Sequence, residues 1–332
     1  METAIHLERA GAAGVRRMET DRKTARDQDT RTVRSLNTGT ARRTAAAVMR
    51  VTKEAATDKT AAAATETGMA ETAAEAAMEI REGERLDDTG FSGIKVIQGD
   101  GFSYGVDSVL LAAWAAGQLG APAARKLKGG REMRIMDLGT GNGVIPLILS
   151  HKIPECSICG VEFRPESVDR AVRSAELNSL QDRLEFTEDD VGLLLKNRPE
   201  MAGTFDSVVT NPPYFKSGAG MAPPEQWRRS ARWETTADLG DFIRCAGGLL
   251  KDKGNFYMVH RPFRMADIIC EMREAGLEPK TLRLVVPRDS EAPNILLIHG
   301  VKNGGPELKV LPSLAVHSGN GYTEELLEIY RT

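Results

Sequence analysis

The chain has 332 residues, a net charge of −3, 41% hydrophobic residues and 27% charged ones, the balance of a globular protein with room for one α/β enzyme domain and an extension. Four cysteines exclude a disulfide-built scaffold, and the net charge excludes a binder that is basic all over, as a histone is. No apolar run reaches the roughly 18 residues of a membrane span, and no short apolar segment follows the N-terminal basic residues, so no membrane contact and a cytoplasmic location are expected.

Residues 1–84 stand apart from the rest. No Phe, Tyr or Trp precedes Phe91, and Ala and Thr make up about 40% of the stretch, with low-complexity runs at Thr44–Val48 and Ala61–Thr65. So little large apolar surface cannot offset a chain entropy of roughly 1–2 kcal/mol per residue. A disordered tail is therefore expected. An RNA-collecting arm is the weaker reading, because the charges cancel; a start site set ahead of Met69 or Met78 is a third. The Arg-rich beginning suggests a transit peptide, but Asp21, Asp27 and Asp29 count against one. The folded domain is expected over residues 85–332.

From Arg85 onward the texture changes. Arg134–Leu138 reads as a strand, followed by a turn and a helix from Val144 to about His151. Ser157–Val161 is a second strand, and a helix runs from Pro165 to about Asn178 with Val168, Ala171, Val172 and Ala175 on its apolar face. Leu184–Thr187 and Phe205–Val209 are the third and fourth strands. Phe242–Leu250 ends a helix, Asn255–Val259 is a fifth strand, and residues 263–275 form a helix with Met265, Ile268, Ile269 and Met272 facing inward and Gly276 as its stop. Leu282–Val286 and Asn294–His299 close the set. Strands alternating with helices predict an α/β doubly wound sheet.

The first strand runs into Asp137-Leu-Gly-Thr-Gly-Asn-Gly143. Gly139, Gly141 and Gly143, with Thr140 among them, allow a sharp turn and a ligand close to the backbone. The later glycine of the dinucleotide fingerprint is missing. Asp137 is a poor neighbour for a pyrophosphate and a reasonable one for a cationic amino-acid group. Glu162 ends the next strand about 20 residues on, where a carboxylate can accept both hydroxyls of a ribose. A nucleoside with a positive amino-acid tail is S-adenosylmethionine; a nicotinamide dinucleotide is the minor alternative. After the third strand, Asp190 is placed to accept from the adenine amine of that cofactor, or else belongs to a solvated acidic turn.

The fourth strand ends in Thr210-Asn-Pro-Pro-Tyr-Phe215. Two prolines fix φ and remove two donors, leaving carbonyls as outward acceptors. The Asn211 side-chain carbonyl and the Pro212 carbonyl can both accept from one exocyclic amine, turning its lone pair toward a methyl sulfonium. Pro213 stiffens the turn, and Tyr214 offers a ring face to a base, worth roughly 1–3 kcal/mol. Asn211, Pro212, Pro213 and Tyr214 are thus the expected catalytic group. Asn211 also borders the cofactor, and no metal or covalent nucleophile is needed.

Asp137–Gly143 followed by Asn211–Tyr214 resembles a class I S-adenosylmethionine methyltransferase with the Asn-Pro-Pro-Tyr motif of amino-nitrogen methylation. The stretch from Gln98 through Phe102, Gly105 and Asp107 to Leu111 resembles the start of the tRNA adenine-N(6) methyltransferase family, whose bacterial members modify adenosine 37 of valine tRNA. The resemblance covers residues 84–332. It implies a Rossmann-like, seven-stranded, mostly parallel sheet with one antiparallel strand, and it places Gly105 and Asp107 at the lip of the cofactor pocket. His260–Arg264, Glu278–Lys280 and Glu291–Leu297 are similar to the Gram-positive branch, which tends to carry Ala-Arg-His-Glu where this chain has Ala231-Arg-Trp-Glu234. Trp233 keeps a flat ring there but loses a titratable group.

The partner implied is an RNA, most naturally a tRNA, with the chain acting as a monomer. Phe215, Arg232 and Arg261 join Tyr214 as expected substrate contacts, with Lys216, Arg228, Arg229 and Arg264 nearby as phosphate neutralisers or a solvated charged loop. The alternatives are the same chemistry on an rRNA guanine amine or a protein glutamine amide, or a non-catalytic protein that holds RNA and cofactor. Residues 1–84 lack the apolar content of the helical substrate domain that glutamine-modifying enzymes carry. Cys156 and Cys159 have metal spacing without a second pair and are expected to be reduced, buried strand cysteines. The basic run Arg125–Lys128, with Arg131, reads as a surface linker.

Overall fold

Strands with mostly buried inner residues alternate with helices to build the layered fold in the computed structural model, which describes residues 80–99, 104–123, 132–214 and 237–331. A hairpin of β1 (Glu84–Asp88) and β2 (Lys95–Gly99) leads to helix α1 (Val106–Ala123). Then come β3 (Met133–Leu138), α2 (Val144–Lys152), β4 (Cys156–Glu162), α3 (Pro165–Leu177), β5 (Leu184–Glu188), the single turn α4 (Leu194–Asn197) and β6 (Phe205–Thr210). The chain continues through α5 (Leu239–Leu249), β7 (Leu250–His260), α6 (Met265–Glu274), β8 (Leu277–Arg288), β9 (Ile295–Lys302), β10 (Lys309–Ser318), β11 (Gly321–Tyr322) and α7 (Glu324–Arg331). The expected disordered tail and the basic run Arg125–Lys128 with Arg131 lie outside the described residues.

The main sheet has the order β11-β10-β8-β9-β7-β6-β3-β4-β5. From β5 to β7 all neighbours are parallel, and β9 runs antiparallel to both β7 and β8. These seven strands match the pattern predicted from the sequence. The sheet is wider than predicted, however: β10 pairs parallel to β8, and the short β11 turns back on it, giving nine strands. The first half of β10 is exposed and contains Pro312, so it shows neither an apolar run nor alternation.

Adjacent residues on the central strands enter opposite cores. Ile135, Val209, Tyr257 and Leu297 pack with α1 and α2 on one face, and Met136, Val208, Phe256 and Leu296 pack with α5 and α6 on the other. On α6 the expected face is the one used, with Ile268 and Met272 buried and Met265 and Ile269 packed beside them. On α3 the face is rotated: Val172 is 38% exposed, while Ser167 and Ser174 are buried with Ala171 and Ala175. The reason is the hairpin. Ser174 Oγ accepts from the Ile97 N–H at 3.0 Å, and the Asn178 side chain accepts from the Lys95 N–H and donates to its carbonyl. Small polar residues fit this backbone-to-helix contact where Val would not.

Candidate active site

The order of the sheet decides where a ligand binds. After β3 the chain moves one way to β4 and later returns on the other side as β6, so β3 and β6 flank the switch point, and their carboxyl ends open a crevice. Leu138 and Thr210 are register partners there, and the Thr210 hydroxyl donates to the Leu138 carbonyl at 2.8 Å. The glycine turn and the Asn-Pro-Pro-Tyr loop therefore leave the sheet side by side.

In the turn, the Gly139 and Thr140 N–H groups both donate to the Val161 carbonyl, at 2.8 and 2.9 Å. Gly139, Gly141 and Gly143 have φ of 72°, 57° and 81°. At Gly143 a Cβ would lie 3.0 Å from the Phe186 ring and 3.1 Å from the Ala171 Cβ, so both backbone and space require glycine. Asp137 beneath the turn is fully buried, and neither carboxylate oxygen has a hydrogen-bond partner. Burial pushes its pKa up to about 8; the Thr140 hydroxyl opposes this and the Glu162 charge adds to it. Glu162 accepts from the Gly141 N–H at 3.0 Å and from the Arg164 side chain at 2.9 Å. Asp190, past the end of β5, accepts from the Gly192 N–H at 2.8 Å, closing a local turn. Gln98, from β2, is fully buried; its carbonyl accepts from the Asn142 amide at 3.2 Å, and its own amide nitrogen has no partner.

The second half of the site centres on Asn211. Its amide nitrogen donates to Ser108 Oγ at 2.8 Å, and its carbonyl accepts from the Tyr214 hydroxyl at 2.8 Å. The same hydroxyl lies 2.5 Å from Asp107 Oδ2, so its single proton is shared between the two acceptors. Asp107 also accepts from the Ser108 N–H at 2.9 Å in the first turn of α1, just after Gly105. The expected lip residues thus meet the expected catalytic loop. Pro212 is buried and Pro213 exposed. Burial, and next the Asp107 charge, hold the Tyr214 hydroxyl protonated well above its usual range.

Arg261, at the end of β7, lies with its guanidinium 4.5 Å from the Tyr214 ring centroid and donates to the Asn294 carbonyl at 2.9 Å. His260 meets the same ring edge-on at 5.1 Å. It is fully buried, neither ring nitrogen has a partner, and burial lowers its pKa to about 4. Tyr214 is therefore a packed member of the site rather than a bare platform. Phe215, Arg232 and Trp233, with Lys216, Arg228 and Arg229, lie outside the described residues. Ser108, Gln98 and His260 were not singled out as site residues by sequence reasoning. All three stand inside quoted motif segments, and only their polarity at buried positions marks them.

All four cysteines are free thiols, with Cys156 buried and Cys159 half-buried on β4. Among the described residues no cluster of His, Cys, Asp or Glu could hold a metal ion, and no helix is long and apolar enough to cross a membrane.

A fully buried carboxylate without partners needs a cation, and a left-handed glycine turn with a carboxylate beside it leaves room for a nucleoside. The residues present fit S-adenosylmethionine, and the fold and site define a Rossmann-like S-adenosylmethionine-dependent methyltransferase. Residues 123–274 match the family model of the methyltransferase small domain. A tRNA1(Val) (adenine(37)-N6)-methyltransferase of Porphyromonas gingivalis is 33% identical over 189 residues, 56% of this chain and 67% of that protein. One from Yersinia pseudotuberculosis is 27% identical over 179 residues, 49% of this chain and 64% of that protein. The crystal structure of a predicted O-methyltransferase from Agrobacterium tumefaciens shares the fold, with a TM-score of 0.52 and 23% identity over 68% of this chain and 95% of that one. The chain belongs to the class I methyltransferase family of these tRNA1(Val) adenine-N6 relatives, and it is an S-adenosylmethionine-dependent N-methyltransferase.

Proposed function

We propose that the chain methylates the exocyclic amine of an adenine in RNA, with a tRNA anticodon-loop adenosine as the substrate. The observation that carries this is the fixed amide of Asn211 beside the glycine turn. With its nitrogen committed to Ser108, the side chain can turn only its carbonyl toward an incoming amine. That oxygen takes one bond from Tyr214 and retains a second lone pair for an amine N–H. The Pro212 carbonyl, on a chain locked by two prolines, is the second acceptor.

S-adenosylmethionine, when bound, supplies an electrophilic methyl on a sulfonium. Asp137 would hold its ammonium, and the turn at residues 139–143 with Glu162, Asp190, Gly105 and Asp107 would bind the rest. The two carbonyl acceptors draw the amine lone pair out of conjugation with the ring and orient it, so catalysis comes mainly from positioning. A base in an RNA loop can be splayed into such a site without breaking a duplex. The Tyr214–Arg261 stack and Phe215 and Arg232 would hold that base and its phosphates. The tRNA activity that the relatives' names give favours this reading over a protein glutamine amide. We assign residues 85–332 to the methyltransferase domain and residues 1–84 to an appended tail.

The test is nucleoside mass spectrometry of total tRNA from a strain lacking the gene, beside its parent. Loss of N(6)-methyladenosine, restored by the intact gene and not by Asn211→Ala, supports the proposal. An unchanged tRNA profile refutes the tRNA substrate and moves the search to rRNA and protein glutamine.

A further inference from the structure

Among the described residues, Phe263 is the most exposed large apolar side chain, at 72%. Its position is imposed. It sits inside a 3₁₀ turn, Pro262–Arg264, that opens on a proline and closes with the Arg264 N–H on the Arg261 carbonyl at 3.1 Å. Both flanks are tied down: Arg261 donates to the Asn294 carbonyl, and Arg264 pairs with Asp267 at 2.6 Å. The backbone that carries the ring is therefore fixed at the surface.

The turn leaves the carboxyl end of β7, on the same sheet edge as the Asn211–Tyr214 loop, and Arg261 joins the two through its stack on Tyr214. A bare aromatic ring thus stands on the sheet edge that carries the Asn211–Tyr214 loop, two residues after Arg261. We infer that Phe263 is a stacking post for an unpaired nucleobase neighbouring the target adenosine, a substrate contact that sets how the RNA loop is opened. This rests on the proposed RNA substrate. An RNA loop presents flat unpaired bases, which match an exposed aromatic ring beside the Arg261–Tyr214 stack, and stacking accepts any base because every base has a π-face. A protein partner would demand a wider apolar surface than one ring.

The experiment uses the full chain, a synthetic RNA hairpin with adenines in its loop, and a fully paired duplex of the same composition. Loss of one base stack predicts that Phe263→Ala raises the KM for the hairpin by about 5- to 150-fold while the dissociation constant for S-adenosylmethionine stays at the wild-type value. Phe263→Trp keeps the wild-type KM, and its fluorescence falls on adding hairpin but not duplex. A wild-type KM for Phe263→Ala, with hairpin methylation intact in the wild type, overturns the stacking post and leaves the RNA substrate standing. If the wild type methylates no RNA but does label protein, the RNA substrate falls and Phe263 falls with it.

Discussion

The Tyr214 hydroxyl donates to Asp107 Oδ2 at 2.5 Å, across a separation of 107 residues in sequence. One hydroxyl thereby ties the loop after β6 to the first turn of α1 and shares its single proton with the Asn211 carbonyl at 2.8 Å. Tyr214 in this arrangement is a positioning residue as much as a ring.

Replacing Tyr214 with Phe keeps the ring, the Arg261 stack and the His260 contact and removes only the hydroxyl that Asp107 and Asn211 share. A hydrogen bond to a charged group contributes about 1.5–3 kcal/mol, and a catalytic group misplaced by a fraction of an ångström loses rate steeply. The expected result is a kcat lower by about 10- to 100-fold, with cofactor affinity within a few-fold of wild type. Steady-state kinetics on tRNA with equilibrium cofactor binding make the check. An unchanged kcat would show that Asn211 is held without the hydroxyl.

Asp137 sets the pH behaviour of the ligand-free protein. Its folded pKa of about 8 lies above the roughly 3.9 of an unfolded aspartate, so the folded state holds the extra proton between those values. Stability from this group is complete below the unfolded pKa and is lost as pH rises toward about 8. Asp137→Asn should flatten that fall in urea-melt midpoints taken across the window. With the ammonium of S-adenosylmethionine placed at Asp137 as proposed, binding at neutral pH is expected to release a proton from it. Calorimetry in buffers of different ionisation enthalpy reads that release. The variant should lose it, together with about 10- to 100-fold in cofactor affinity. Equal proton release by both proteins would remove Asp137 from the ammonium site.

The inner strands β3, β4, β6 and β7 were legible because most of their residues are buried and apolar, and the glycine turn because φ above zero at Gly139 and Gly143 leaves few other choices. The hairpin was not legible. Arg85, Asp87 and Lys95 interrupt its pattern, and it is held by contacts to α3 far along the chain. For the same reason Val172 was expected in the core and Ser174 was not. Within the site, Asn211, Asp107 and Asp137 could be picked out by motif. Ser108 and His260 could not, because their importance depends on which side chains the fold brings against them.

Glu84 is the electrostatic anchor of that hairpin. Its carboxylate is 8% exposed and meets Arg170 at 3.2 Å and Arg173 at 2.6 Å, both on α3. Burial raises its pKa, but the Arg173 hydrogen bond and the other arginine contacts outweigh this and lower it. Its stabilising effect is therefore present above the unfolded carboxylate pKa and is lost as pH falls through the lower folded value. Glu84→Gln leaves Arg170 short of a charge and Arg173 paired with Asp169 at 2.9 Å. Loss of hydrogen bonds to such a charge costs about 1.5–3 kcal/mol, which lowers Tm by roughly 5–10 °C in a domain of this size. Calorimetric scans at neutral and acidic pH give the check: the gap between variant and wild type should shrink in acid, and a gap independent of pH would count against the charge argument.

Ser108 is buried and accepts from Asn211 Nδ2 at 2.8 Å, which decides which end of the amide faces the substrate. In Ser108→Ala the amide loses that acceptor and can turn its NH2 toward the incoming amine, placing donor against donor. The expected cost is about 5- to 50-fold in kcat, on the scale of one buried hydrogen bond plus misorientation. If Ser108 acts only through Asn211, the two residues are energetically one unit, and the Ser108→Ala, Asn211→Ala double variant should be no slower than Asn211→Ala alone. Additive losses in that cycle would mean that Ser108 touches cofactor or substrate directly, and would move it from positioning the amide to binding a ligand.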